Sequence, residues 1–275
     1  MTVDRERVVR TGLVATEPAE ALANLLGTDV PEGQLPPMWH WVQLLEHPPQ
    51  AALGPDGHPT TGIPRPPGPG QRRMFAGGRV LTLAPLDIGA DATRTTWVAN
   101  TVEKRGRSGP LTFVTVRNEY RQGERLAVVD EFDIVYRAPG APLPLAPGSL
   151  QVTPWPAPRE PALTLRADET LLFRFSALTY NAHRIHYDHG WARREGYGDL
   201  VVHGPLQALM MAELIRRRGD GLVGREFAYR LVAPMVGPQT LTVVAAQGGL
   251  GAGVEVHDVH GTLTAVGSAG TVDLS

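Results

Sequence analysis

The stretch FSALTYNAHRIHYDHGWARREGYGDLVVHGP, Phe175 to Pro205, holds four of the chain's nine histidines. His183, His186 and His189 recur every third residue with Asp188 among them, and a helix start follows at Gly204-Pro205. Three readings of this pattern compete. The histidines could be solvated or hydrogen-bonded packing groups. They could be metal ligands, but HRIHYDH has a first gap one residue too long for a His-x-His-x-Asp-His signature. In an extended segment, side chains three apart point to opposite faces. The third reading is acid–base chemistry without metal. A neutral imidazole takes a proton near pH 7, and the unpaired N–H groups at a helix start hold a developing oxyanion. Removal of an α-proton beside a thioester carbonyl requires that combination.

Proline at the first turn and Gly219 past the end bracket a helix over LQALMMAELIRRR. Leu206, Leu209, Met210 and Leu214 form one apolar face, and Met211 and Ile215 widen it, so the helix is expected to be buried. The following segments, REFAYRLVAPMVG, QTLTVVAAQGG and AGVEVHDVHGTLTAVGSAGTVDL, alternate apolar and polar residues as antiparallel strands do. The first half has the same plan. Thr16 is expected to cap a helix over EPAEALANLL that stops at Gly27, and MWHWVQLLEH reads as a second short helix. Four alternating segments between Ala76 and Arg137 then form a meander. Gly77–Gly89 resembles Val223–Gly237, each a Gly-Arg strand leading to an Ala-Pro turn, and this echo points to duplication. The fold expected is α+β, a buried helix wrapped by a long antiparallel sheet, twice over.

Two Pro/Gly-rich stretches interrupt this plan. Pro48 to Gln71 cannot be a helix or a central strand, and Ala138 to Ala162 carries eight prolines. The expected division is an N-terminal unit over 1–140, a Pro-rich linker over 141–162 and a C-terminal unit over 163–275. Across the 275 residues, 26 basic and 28 acidic side chains leave a formal charge of −2. No global basic field would recruit nucleic acid. With no cysteine, disulfides, thiolate nucleophiles and sulfur-ligated metals are excluded. MTVDRERVVRTGLV has neither an apolar core nor a cleavage site, and no run approaches the ~20 apolar residues of a membrane span. A cytoplasmic protein with no membrane partner is expected.

At this point the residues resemble a known family. The MaoC-like enoyl-CoA hydratases and acyl-thioester dehydratases carry Ser-x-Thr-Gly-Asp-x-Asn-Pro-(Ile/Leu)-His. Five residues on come Ala, then Gly-Tyr, then a hydrophobic trio and His-Gly. Here stand Ser176 to His186, Ala192, Gly196-Tyr197 and Leu200-Val201-Val202-His203-Gly204, with matching spacing. The family's catalytic Asp is replaced by Asn181, its Asn by His183, its Pro by Arg184 and the Gly before the Asp by Tyr180. With LPPMWHW, RRMFAGGR and EKRGRSGPLTFVTVR upstream, the chain resembles the tandem subgroup that includes mesaconyl-CoA and itaconyl-CoA hydratases. That resemblance implies a double hotdog fold, two antiparallel sheets each wrapping a central helix. The C-terminal unit would be catalytic, and a degenerate N-terminal unit would shape the acyl pocket.

The implied activity is reversible hydration of an α,β-enoyl thioester of coenzyme A or an acyl carrier protein. No metal or cofactor is expected, because the thioester itself acidifies the α-carbon. His186 is expected to be the acid–base, Asn181 to orient the water, and the Gly204 N–H to polarise the thioester carbonyl. His183 would be a second proton-transfer group and Asp188 would fix an imidazole tautomer. The expected substrate contacts are Tyr180, Arg184, His203, Trp39 and Trp41, although His203, Trp39 and Trp41 also read as structural. Arg65, Arg72 and Arg73 could meet a phosphate or carboxylate from the first long loop. A homodimer is implied by resemblance, and a thioesterase or a non-catalytic acyl-thioester-binding subunit are the alternatives.

Overall fold

In the computed structural model of the chain, residues 6–30, 32–64, 72–106, 109–137 and 160–271 are described. The first half runs β1 (Val8–Leu13), α1 (Thr16–Leu26), β2 (Arg72–Thr82), β3 (Asp91–Gly106), β4 (Gly109–Gln122) and β5 (Arg125–Arg137). The second runs β6 (Ala162–Ala167), α2 (Glu169–Leu178), α3 (His189–Arg194), α4 (Gly204–Arg217), β7 (Arg225–Leu231), β8 (Gln239–Ala245), β9 (Val254–His257) and β10 (Leu263–Thr271). Described strands stop at Arg137 and resume at Ala162, so nearly all of the expected linker lies outside the described residues.

The strands form one antiparallel sheet in the order β1-β3-β4-β5-β2-β7-β10-β9-β8-β6. The two expected sheets are therefore joined edge to edge. The joint is the pair of echoing Gly-Arg strands, β2 and β7. Arg79 lies opposite Ala228 and Thr82 opposite Arg225, so the repeated positions exchange partners about a local two-fold. The double hotdog reading holds, and pairing at the junction leaves neither half with an open edge there.

Helix α4 fills the hollow of the second half, packing against β2, β6, β7, β8, β9 and β10. Leu206, Leu209, Met210, Met211, Leu214 and Ile215 are all buried, as the sequence pattern required. Burying each such side chain contributes roughly 1.5–3 kcal/mol. Residues of α1, including Leu22 and Leu26, belong to the same hydrophobic cluster, so the halves share one core.

Two local expectations are corrected and one strand is new. Thr16 is the first helical residue and not the cap of α1; Ala15 holds that place, and Gln43 serves both its N–H and its carbonyl. MWHWVQLLEH forms only a 3-10 turn over Trp39–Val42. Met38 and Leu44 on either side have φ of 75° and 51°, and left-handed backbone stops a helix of L-residues. Strand β1 was not expected, because it turns Val9 and Leu13 outward, 63% and 54% exposed, against the usual sense of alternation. Among the described residues no helix is long and apolar enough to cross a membrane.

Candidate active site

The Phe175–Pro205 stretch becomes a chain of short turns laid across the start of α4. Asp168 caps α2, accepting from the Leu171 N–H at 3.0 Å. The helix ends at Leu178, and Tyr180, at φ 51°, reverses the backbone so that Asn181 faces inward. A 3-10 turn over Arg184–His186 then buries His186. Its Nδ1 lies 2.7 Å from the Val201 carbonyl. A carbonyl only accepts, so Nδ1 carries the hydrogen and Nε2 keeps its lone pair. Burial, with His203 and His183 close by, holds the His186 pKa well below the ordinary 6.5. The ring is therefore a neutral acceptor at pH 7.

Asn181 is fixed by its own segment. Its Oδ1 accepts from the His183 N–H at 3.0 Å, which leaves the amide NH₂ as a donor to the cavity. Gly204 opens α4, and its N–H has no partner within the helix. Glycine is required by crowding there: a Cβ would stand 2.3 Å from Leu231 Cδ1 and 3.1 Å from Phe75 Cδ1.

Asn181, His183, His186 and Gly204 line one cavity of about 390 Å³. Asn181 also lines a neighbouring chamber of about 260 Å³ built mainly by the N-terminal half. Trp41 and Arg94 are in that chamber's wall, with Trp41 Nε1 donating to Asp130 at 3.0 Å. Arg94 Nε, Asp130 Oδ1 and the Tyr229 hydroxyl are buried there with no side-chain or backbone partner. The chamber's wall thus holds both donors and acceptors, with Arg94 Nη2 engaged by Glu46 at 2.6 Å. Arg73 lines the larger cavity, whereas Arg72 donates to the Glu195 carbonyl at 2.8 Å. Arg65 lies outside the described residues.

Sequence reasoning missed the pair that the N-terminal half adds to this site. His58, on the loop after Leu53, lines the larger cavity with its ring 4.1 Å from that of His183. Its Nδ1 lies 2.9 Å from Asp56 Oδ2, and its backbone N–H donates to Asp56 Oδ1 at 3.0 Å. Burial outweighs the pull of Asp56 and lowers the His58 pKa to about 4. Burial would raise Asp56, yet its bonds to His58 bring it down to about 2. Glu195 is similar: burial opposes ionisation, but contacts with His183, 3.6 Å away, and Trp191 hold its pKa below the ordinary value. The sequence carried one local signal, the Asp-Gly-His turn inside a long Pro/Gly-rich loop.

Trp39 and His203 take the structural places their sequence also allowed, not substrate contacts, and three other expected roles are corrected by position. Trp39 is fully buried and donates to Glu213 of α4 at 3.0 Å, so it is core and not cavity wall. His203 is wholly buried as well; it bonds Ser176 at 2.8 Å and stacks on His186 at 3.6 Å, supporting that ring from behind. Tyr180 is 53% exposed and rests on His47, away from both chambers. Arg184 is engaged by Asp188 at 2.6 Å, by the Pro55 carbonyl at 3.0 Å and by the Trp191 ring. Asp188 is occupied with Arg184 and with capping α3 through the Trp191 N–H at 2.9 Å. The tautomers are set instead by Val201 for His186 and by Asp56 for His58. His189 pairs with Asp199 at the surface.

Asp56, His58 and His183 also form a group whose ligand atoms lie within 4.8 Å of one another, the one such group among the described residues. Two imidazoles and a carboxylate are a donor set that suits a divalent ion. The Asp56 carboxylate, however, already accepts from both Nδ1 and the backbone N–H of His58.

Residues 38–237 match the family model described as hydroxyacyl-thioester dehydratase type 2. The mesaconyl-C(4)-CoA hydratase of Chloroflexus aurantiacus is 48% identical over 211 residues, 76% of this chain and 74% of that protein. Among solved structures, HtdX of Mycobacterium tuberculosis superposes with a TM-score of 0.66 at 15% identity, covering 97% of this chain and 100% of that one. A MaoC-like dehydratase from Phytophthora capsici gives 0.66 at 15% identity, covering 99% and 97%. At such identities the two structures attest the fold alone.

Proposed function

The chain belongs to the hydroxyacyl-thioester dehydratase type 2 family, and from that premise we propose that it is a hydro-lyase that reversibly adds water across the α,β double bond of an acyl thioester. The observation that carries this reading is the convergence of the His186 lone pair, the Asn181 amide and the Gly204 N–H on one cavity. In the hydration direction the water oxygen bonds to Cβ while His186 Nε2 takes one water proton. The π electron pair moves to Cα and onto the thioester oxygen, where the Gly204 N–H at the positive end of α4 stabilises it. The proton then passes from the imidazolium to Cα. The same ring gives and receives it, so the step balances with one base, no metal and no redox cofactor. The thioester supplies the acidity.

The substrate is an acyl-CoA or acyl carrier protein thioester. A branched C5 dicarboxylic acyl group is the preferred choice, supported by the identity to the Chloroflexus hydratase. We place this enzyme in the cytoplasm as a homodimer, with the N-terminal unit over 1–140 shaping the acyl pocket.

The test is a panel of crotonyl-, mesaconyl- and itaconyl-CoA given to chelator-treated protein, with enoyl absorbance and free thiol followed together. Loss of absorbance without thiol release is expected, fastest with a dicarboxylic substrate. Thiol release would make the protein a thioesterase and overturn the reading.

A further inference from the structure

With Asn181 unable to exchange a proton, imidazoles must handle a water with two O–H groups, and His183, beside His186 in the cavity, has its Nε2 3.6 Å from Glu195. The same cavity is lined by His58, whose ring lies 4.1 Å from that of His183. We propose that His58, oriented by Asp56, is a catalytic residue that holds the attacking water through its second O–H, so that the N-terminal half contributes to the chemistry as well as to the pocket. The inference rests on the hydratase reading above.

Three observations support it. First, the loop is built onto the catalytic segment. The Asp56 carbonyl accepts from the Arg184 N–H at 2.9 Å, and the Pro55 carbonyl accepts from Arg184 Nη1 at 3.0 Å. Gly57, at φ 90°, lies so close that a Cβ would stand 1.8 Å from the Ala182 carbonyl oxygen. No other residue fits between the two backbones, so the position of His58 is set by the turn that also sets Asn181 and His183. Second, Asp56 accepts from Nδ1 and thereby leaves Nε2 as the free acceptor. Third, His58 is not packing filler: it lines the cavity beside His183, in the same space as His186.

The step remains balanced. The proton that leaves the water goes to His186 Nε2 and returns to Cα; the second stays on oxygen and donates to His58 Nε2 throughout. Two acceptors on one water raise the electron density of the attacking oxygen and fix its lone pair toward Cβ. Arg184 and Arg73 then have different roles: Arg184 straps the loop, and Arg73 lines the cavity as a cation available to the substrate.

The experiment uses the full chain, chelator-treated, with the best substrate of the wild-type panel. His58→Ala should lower kcat by about 10² or more with KM changed little, as expected for loss of a group that acts on the reacting water. Free imidazole should restore part of the lost turnover in His58→Ala and leave wild type unaffected. His58→Gln keeps an acceptor oxygen and should recover part of the loss, and it serves if the alanine variant fails to fold. Asp56→Asn should lower kcat at least about tenfold, because an amide can hold the imidazole in the wrong tautomer. A His58→Ala enzyme with kcat within about threefold of wild type would overturn the inference, because loss of an acid–base or water-holding group costs far more. So would a loss confined to KM, or an enzyme that chelation inactivates, since Asp56, His58 and His183 would then be metal ligands. If wild type hydrates no enoyl thioester either before or after chelation, the functional reading falls first and takes this inference with it.

Discussion

Gly204 shows how much of the site depends on single side chains, or on their absence. Its N–H is useful only while the start of α4 stays seated between Leu231 and Phe75. Gly204→Ala forces a methyl to within 2.3 Å of Leu231 Cδ1 unless that side chain or the helix start moves. A shift of about 1 Å at a reacting group costs about 10² in rate. We therefore expect kcat to fall by about 10² while circular dichroism stays as in wild type; unchanged steady-state turnover would show that this N–H is not the oxyanion donor. At this scale the sequence was informative wherever partners are neighbours in the chain. His186, Asn181 and Gly204 fall within one motif, and the structure gathers them in one cavity. His58 and Asp56 were not legible, because a partner far upstream leaves no periodicity in the motif it joins. Arg184 and Asp188 misled for a related reason: two opposite charges four apart satisfied each other and were lost to the site.

At the scale of elements, α4 was read correctly because its apolar face, its proline entry and its Gly219 exit agree with one another. That agreement has an energetic counterpart. Leu209 is fully buried at the centre of α4 and belongs to the cluster that both halves share. Leu209→Ala should cost about 2–5 kcal/mol in denaturant unfolding, the usual loss for a buried leucine that leaves a cavity. A cost under about 1 kcal/mol would mean that the helix is loosely seated, as tolerated swaps are. The elements read wrongly are those where local backbone overrides propensity. Trp39–Val42 has the residues of a helix, but left-handed Met38 and Leu44 allow it a single turn. Strand β1 escaped detection because it turns apolar side chains to solvent on the sheet edge beside β3.

At the scale of the molecule, the repeated strands β2 and β7 were visible as an echo, but their pairing was not, since duplication alone does not say which edges meet. The joined sheet brings histidines from both halves into one buried group, and this has a consequence for acid stability. His58 and His203 titrate at about 4 and about 3 in the fold, and His186 well below 6.5, each because burial disfavours the charged ring. The unfolded chain binds these protons from 6.5 downward, so it gains protons that the folded chain refuses. Stability is then full above pH 6.5 and falls as pH drops, with each such group contributing up to about 1.4 kcal/mol per pH unit. Asp56, held at about 2 by His58, adds to the loss between 3.8 and 2. Urea midpoints measured from pH 7.5 to 4.5 should decline with decreasing pH; a flat profile would mean that the imidazoles are hydrated and charge freely. In the proposed mechanism the acid–base atom of this histidine group is His186 Nε2. The most direct measurement is the turnover of His186→Ala on the best enoyl thioester of the panel, beside its melting curve. A folded variant with kcat lowered by about 10² or more is the predicted result, the loss that general acid–base groups typically show. A folded variant with near-normal turnover would contradict the account.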